Sequence, residues 1–183
     1  MTYYNDIYEY AADNFGLITS AQAKNMGIPS IELVKLAHRG RLTRIGQGVY
    51  RIHHYIPTEF DGFAAAVALV GDGAYVYGIS VLAMFNLALV NPRKTTIATP
   101  VKVRRKLLPY IEVVPARSDT EVTQYEGIPS QSVADAFRTC RRSVMTERLL
   151  PAIEDARLQG LVTEKEAKEL TEEIESGRKS PTK

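Results

Sequence analysis

Between Thr19 and Ile52 the chain reads TSAQAKNMGIPSIELVKLAHRGRLTRIGQGVYRI, and no other stretch restricts its folding as much. Thr19-x-x-Gln22 is a capping box, in which each side chain satisfies a backbone N–H left open at a helix start. The helix it opens ends at Gly27, and Pro29 cannot continue it. Met26 to Pro29 is therefore a short turn, and Ser30 is a suitable N-cap for the next helix. On a 3.6-residue wheel Leu33, Val34, Leu36, Ala37 and Gly40 share one arc of that helix, with Ile31, Glu32, Lys35, His38 and Arg39 opposite. Leu42 to Ile45 and Val49 to Ile52 then alternate as paired strands do, joined by a three-residue loop, Gly46-Gln47-Gly48. Two helices, a tight turn and a hairpin in this order predict a winged helix-turn-helix.

Charge supports this reading by its distribution, since the net charge is only +2. From Thr19 to Arg51 six basic residues (Lys24, Lys35, Arg39, Arg41, Arg44, Arg51) stand against Glu32 alone. In such a fold the second helix enters the major groove of DNA with its N-terminal residues nearest the base edges. Ser30, Ile31, Glu32 and Lys35 are then candidate base readers: Ile for a thymine methyl, Glu for the cytosine amino group, Lys for guanine. Arg41, Arg44, Gln47 and Arg51 are candidates for phosphate or minor-groove contact, which positions a protein without specifying sequence. Ser20, Gln22, His38 and Arg39 complete the expected DNA-binding set. A solvated helical face is the plain alternative for the same residues.

The remaining chain has its own organisation. Residues 2 to 14 carry an amphipathic pattern and precede Gly16. The tyrosines Tyr3, Tyr4, Tyr8 and Tyr10 fall at spacings that suit packing against neighbouring helices better than base stacking. His53 and His54 mark a linker, and no partner residues at ligand spacing support a metal site. Beyond it the pattern predicts a buried helix from Pro57 to Val70, a short strand at Tyr75 to Tyr77, and a helix from Ser80 to Leu87 capped by Ser80. Strands follow at Thr95 to Thr99, Tyr110 to Val114 and Val122 to Tyr125. Between the first two lies VKVRRKLLP, where Lys102, Arg104, Arg105 and Lys106 form a possible second basic patch for nucleic acid or a solvated loop. Ser118-x-x-Glu121 matches a capping box, but the β-branched residues after it argue against a helix. The end turns helical: Ser130 or Ser132 caps one helix, Pro151 starts another, and Thr163-x-x-Glu166 opens a last one, charged almost all round.

The expected fold is α+β (mixed α/β). It divides into a winged helix-turn-helix over residues 1–55, a mixed α/β domain with a helical C-terminus over 56–178 and a disordered tail over 179–183. Hydrophobic residues at 45% and charged residues at 24% fit an ordinary globular chain. One cysteine, Cys140, fits a reducing compartment. The N-terminus lacks the pattern of a signal peptide, and no apolar run reaches membrane-spanning length, so a cytoplasmic location is expected. No G-x-S-x-G, H-E-x-x-H, phosphate loop or Cys–His pairing occurs, and Glu154-Asp155 with Lys165 lack the strand of a nuclease-like site. No enzymatic activity, cofactor or metal is expected.

The segment ITSAQAKNMGIPSIELVKLAHRGRLTRIGQGVYRI, with its G-x-L-x-R-x-G-x-G-V-Y-R wing at Gly40 to Arg51, resembles the N-terminal domain of the AbiEi-type antitoxins. These are the transcription-regulating half of abortive-infection (type IV) toxin–antitoxin pairs in phage defence. GISVLAMFNLA and the later order of elements resemble the family's C-terminal half more loosely. The resemblance implies an antitoxin and autorepressor that binds operator repeats in double-stranded DNA as a monomer or weak dimer. It also implies a nucleotidyltransferase toxin as functional partner, opposed without a stable complex. The alternatives are a stand-alone winged-helix regulator whose C-terminal domain senses a ligand or partner, and a protein-interaction module in which the helix from Ser30 to Arg39 docks a protein.

Overall fold

The computed structural model describes residues 3–178. The tail expected to be disordered, 179–183, lies outside them. The fold is α+β, and the chain divides into two compact units: Met1–Asp72 with Arg104–Leu107, and Gly73–Val103 with Leu108–Lys183.

The first unit runs α1 (Tyr3–Ala12), β1 (Leu17–Thr19), α2 (Ser20–Asn25), α3 (Ser30–His38), β2 (Leu42–Gly46), β3 (Val49–Ile52) and α4 (Asp61–Val70). Its three strands form an antiparallel sheet in the order β1-β3-β2. The Thr19 capping box forms as expected: Thr19 N–H donates to Gln22 Oε1 at 2.8 Å and Gln22 N–H to Thr19 Oγ1 at 3.1 Å. Pro29, not Ser30, is the N-cap of α3, without a side-chain bond, and Ser30 is the first helical residue. Ile7, Ala11, Ile18, Leu33, Leu36, Leu42, Tyr50 and Ile52 form the core between the helices and one face of the sheet. Strand β1 went unforeseen because three residues between a helix stop and a capping box are too few to show alternation.

The hairpin differs from expectation in a way that matters. The pairs Leu42↔Ile52, Thr43↔Arg51 and Arg44↔Tyr50 run in register, then a bulge intervenes before Gly46↔Val49. The loop is thus two residues, Gln47 and Gly48, with only Gly48 at positive φ (71°). Gly46 is closely approached instead: a Cβ there would overlap Leu69 Cδ2 of α4 unless that side chain moved. Helix α4 covers the second face of the sheet, so the first unit extends past the boundary expected at residue 55.

The second unit contains β4 (Tyr75–Val76), α5 (Ile79–Met84), β5 (Thr95–Thr99), β6 (Ile111–Pro115), β7 (Val122–Tyr125), β8 (Ile128–Gln131), α6 (Val133–Cys140), α7 (Thr146–Leu158) and α8 (Glu164–Arg178). Its sheet has the order β6-β5-β4-β8-β7, with β5–β6 and β4–β8 parallel and the other pairs antiparallel. Gly78, not Ser80, precedes α5 as its cap. Ser80 is fully buried and accepts a bond from Thr96 N–H at 2.8 Å, tying α5 to β5. Strand β8 takes up Ser130, one of the two expected caps, leaving Ser132 to cap α6 by accepting from Asp135 N–H at 3.2 Å. Pro151 does not start a helix; α7 runs through it, held in register by Leu149, Ala152, Ile153 and Ala156 buried on either side. The last helix, α8, carries a narrow apolar stripe of Ala167, Leu170 and Ile174. Cys140, 2% exposed, lies in this core, where burial pushes its thiol up to about 12.

Candidate nucleic-acid interface

Helix α3 presents a face to solvent because only Leu33 and Leu36 are buried along its length, with Ala37 half-buried. Val34, expected in the core arc, is 49% exposed and lies one turn from Ile31, 53% exposed. The core sits closer to the Leu33–Leu36–Ala37 line than a wheel drawn around Val34 suggests. The exposed face therefore combines Ser30, Ile31, Val34, Lys35, His38 and Arg39. Glu32 is half-buried and pairs with Lys35, Nζ to Oε1, at 2.8 Å. This bond couples two of the expected base readers, and the apolar Ile31 and Val34 are exposed beside them.

Two other cations join this face. Arg41 is exposed, with its guanidinium 5.2 Å from the centre of the Tyr4 ring, a cation–π contact that aims it from α1. Tyr3, Tyr4, Asn5, Glu32, Leu36, Arg39 and Arg41 line one open groove between α1 and α3. Arg44 pairs with Tyr50 across the hairpin and so belongs to the helix-side face of the sheet. It lies past the core, exposed, its Nε donating to Gly46 O at 3.2 Å. Gln47 is exposed at the tip. Among the described residues Arg39, Arg41 and Arg44 make no ion pair.

The remaining expected contacts take structural roles. Arg51 pairs with Thr43, so the two-residue strand period turns it to the face covered by α4. There its Nη2 stands 3.1 Å from Asp61 Oδ2 without hydrogen-bond alignment, and its guanidinium lies 5.7 Å from the centre of the Tyr55 ring. Asp61 Oδ1 accepts bonds from Thr58 N–H at 2.9 Å and from the Tyr55 and Thr58 hydroxyls at 3.1 Å. Burial, then the bond to Asp61, raises the Tyr55 pKa. Arg51 is thus a strut between sheet and α4. Gln22 accepts in the α2 cap through Oε1, and Ser20, half-buried, donates its N–H to Gly48 O at 2.8 Å, holding α2 against the wing turn.

The second basic patch also divides. Lys102, Arg104 and Lys106 are exposed, but Arg105 donates from Nε to Leu69 O at 3.1 Å and from Nη2 to Val70 O at 2.5 Å. It closes the C-terminus of α4, where orphan carbonyls and the helix dipole favour a cation. Lys102 belongs to the second unit, Arg104 to Lys106 to the first.

In the second unit a cleft of about 450 Å³ is lined by Tyr77, Arg117, Asp119, Gln131, Arg138, Arg141 and Arg142 among others. Two of its four arginines are taken up: Arg117 Nε stands 3.2 Å from Asp119 Oδ1, and Arg138 contacts Asp135 at 3.0 Å and Glu173 at 3.1 Å, while Arg141 and Arg142 are exposed. Glu154 and Lys165 are engaged on their own helices with Arg157 and Glu169. Among the described residues no three His, Cys, Asp or Glu side chains gather to hold a metal, and no helix is long and apolar enough to cross a membrane.

The helix, turn, helix and hairpin of the first unit carry a family signature. Residues 5–53 match the family model "Transcriptional regulator, AbiEi antitoxin". The AbiEi match takes in α1 through β3, hence the α3 face and wing, and stops short of α4 and the second unit. The chain is also similar to the structure titled "Crystal structure of RV2827C protein from Mycobacterium tuberculosis", at 15% identity and a TM-score of 0.46, over 95% of this chain and 78% of that one. No curated protein matches the chain.

Proposed function

We propose that this protein is a DNA-binding antitoxin and autorepressor of the AbiEi kind. Helix α3 reads base edges in the major groove, while Arg41, Arg44 and Gln47 hold the backbone beside it. The observation that carries the reading is the solvent face of α3, which joins apolar side chains to unpaired cations in the segment that matches the AbiEi family. Ile31 and Val34 suit thymine methyls, and Ser30 and His38 supply polar contacts. The role is binding rather than catalysis, exercised in the cytoplasm on operator repeats. The functional partner is a nucleotidyltransferase toxin, opposed without a stable complex.

A gel-shift or anisotropy titration with the DNA upstream of the protein's own gene, across a salt series, tests this. Binding should weaken linearly in log–log form as salt rises, since neutralising phosphates releases counterions. Binding that is absent or insensitive to salt would sink the DNA reading. The identity of the adjacent gene decides between antitoxin and stand-alone regulator; a neighbour that is no nucleotidyltransferase favours the regulator. That second reading draws on the cleft beside α6, which gives the second unit a place for a ligand.

A further inference from the structure

The segment from Arg104 to Leu107 leaves the second unit and rejoins the first, where it is anchored by one side chain. Arg105 bonds the last carbonyls of α4, and its guanidinium lies so close over Gly71 that a Cβ there would stand 2.6 Å from Nη2. The residue it grips, Leu69, is also the one whose side chain lies against Gly46 in the wing. Gly46, Leu69 and Arg105 thus form a continuous stack that places this segment on the α4 flank of the hairpin, beside its tip. Arg104 and Lys106, adjoining the anchor, are exposed and form no ion pair among the described residues. The bulge between Arg44 and Gly46 separates two faces here, with Arg44 on the helix side and Gly46 on the α4 side.

We propose that Arg104 and Lys106 extend the wing into a wider phosphate clamp, gripping the backbone on the side of the hairpin away from α3. The inference rests on the DNA reading above. Helix and wing hold the duplex from one face of the sheet, and this loop adds two cations from the other. Arg51 leaves that flank otherwise without an available cation on the strands, because Asp61 occupies it. The contact is to phosphate, since single cations on a loop held by the Arg105 side chain carry no pattern of donors for base edges. Arg105 is a positioning residue: it holds the loop and does not touch DNA.

The test compares salt slopes for the full chain on its upstream DNA. Arg104→Gln with Lys106→Gln removes two charges without disturbing the Arg105 anchor. Arg93→Gln with Lys94→Gln removes the same number of charges from exposed positions elsewhere, as a control. Each phosphate contact contributes about 0.9 to the slope, so between 50 and 200 mM salt the wild type should lose about tenfold more affinity than the Arg104/Lys106 variant. Preference between operator and scrambled DNA should stay unchanged, and the Arg93/Lys94 variant should keep the wild-type slope. Equal slope changes in both variants would mean a general effect of net charge and overturn the proposal. So would an unchanged slope for Arg104/Lys106 in a protein whose wild type binds DNA in a salt-dependent way. If the wild type itself shows no salt-dependent binding, the DNA reading falls and this proposal with it.

Discussion

The solvent face of α3 and the Arg138 side of the cleft beside α6 both carry arginines, yet they differ in what those charges can do. Around α3 and the wing, Arg39, Arg41 and Arg44 have no carboxylate in reach among the described residues. In the cleft, Arg138 is forked between Asp135 and Glu173, and its pKa is raised first by the bond to Glu173. A cation with a carboxylate at hydrogen-bond distance presents almost no net field to a phosphate, whereas an unpaired one keeps its full charge for a ligand. The same division runs inside the first unit, where Arg51 is consumed by Asp61 and Arg44, a few residues away, is not.

The largest expected effect concerns the helix that carries the cleft. Because burial lifts the Cys140 thiol to about 12, its thiolate fraction at pH 8 should fall about a thousandfold below that of a free cysteine. A thiol reagent should label it only as the unit opens, and labelling at the rate of free cysteine would show α6 to be as open as α3. Because the buried thiol resists ionisation, the fold keeps its full stability below the ordinary thiol range and loses some of it as pH rises from there towards about 12.

Next in size, Asp61→Ala leaves Arg51 half-buried without its counter-charge. It should cost on the order of 2 kcal/mol, or roughly 10 °C in the melting of the first unit. A shift within error would return Arg51 to the list of free cations and erase its contrast with Arg44. Arg44→Ala should weaken binding to all DNA sequences alike and reduce the salt slope by about 0.9, while Arg138→Ala should leave it unchanged. Loss of slope in the cleft variant would break the comparison outright. The smallest effect is on specificity. Replacing thymine by uracil under α3 should cost about 0.8 kcal/mol per lost methyl contact, roughly fourfold, and Ile31→Ala with Val34→Ala should abolish the difference. Equal sensitivity to uracil in wild type and variant would remove these two side chains as readers.

Much of the candidate interface was legible in the chain. Thr19 and Gln22, three residues apart, announce the start of α2, and Leu33 and Leu36 set the inner line of α3, because caps and helical periodicity act between near neighbours. Val34 was misplaced because a wheel assigns an arc but not its centre, which depends on where α1 and the sheet approach. Ser130 and Pro151 misled for a related reason. A polar residue before a helix suggests a cap, and proline suggests a break, until strand pairing by β8 and burial on both sides of Pro151 outweigh the local preference.

What the sequence by itself determined is the order of α2, turn, α3 and hairpin, with its family signature, since each of these depends on contacts within a few residues. Only the tertiary structure decided which cations remain available. Asp61 is ten residues from Arg51, and Leu69 and Val70 are more than thirty residues from Arg105. Whether such pairs meet is set by the packing of α4 on the second face of the sheet, which no local pattern in the wing encodes.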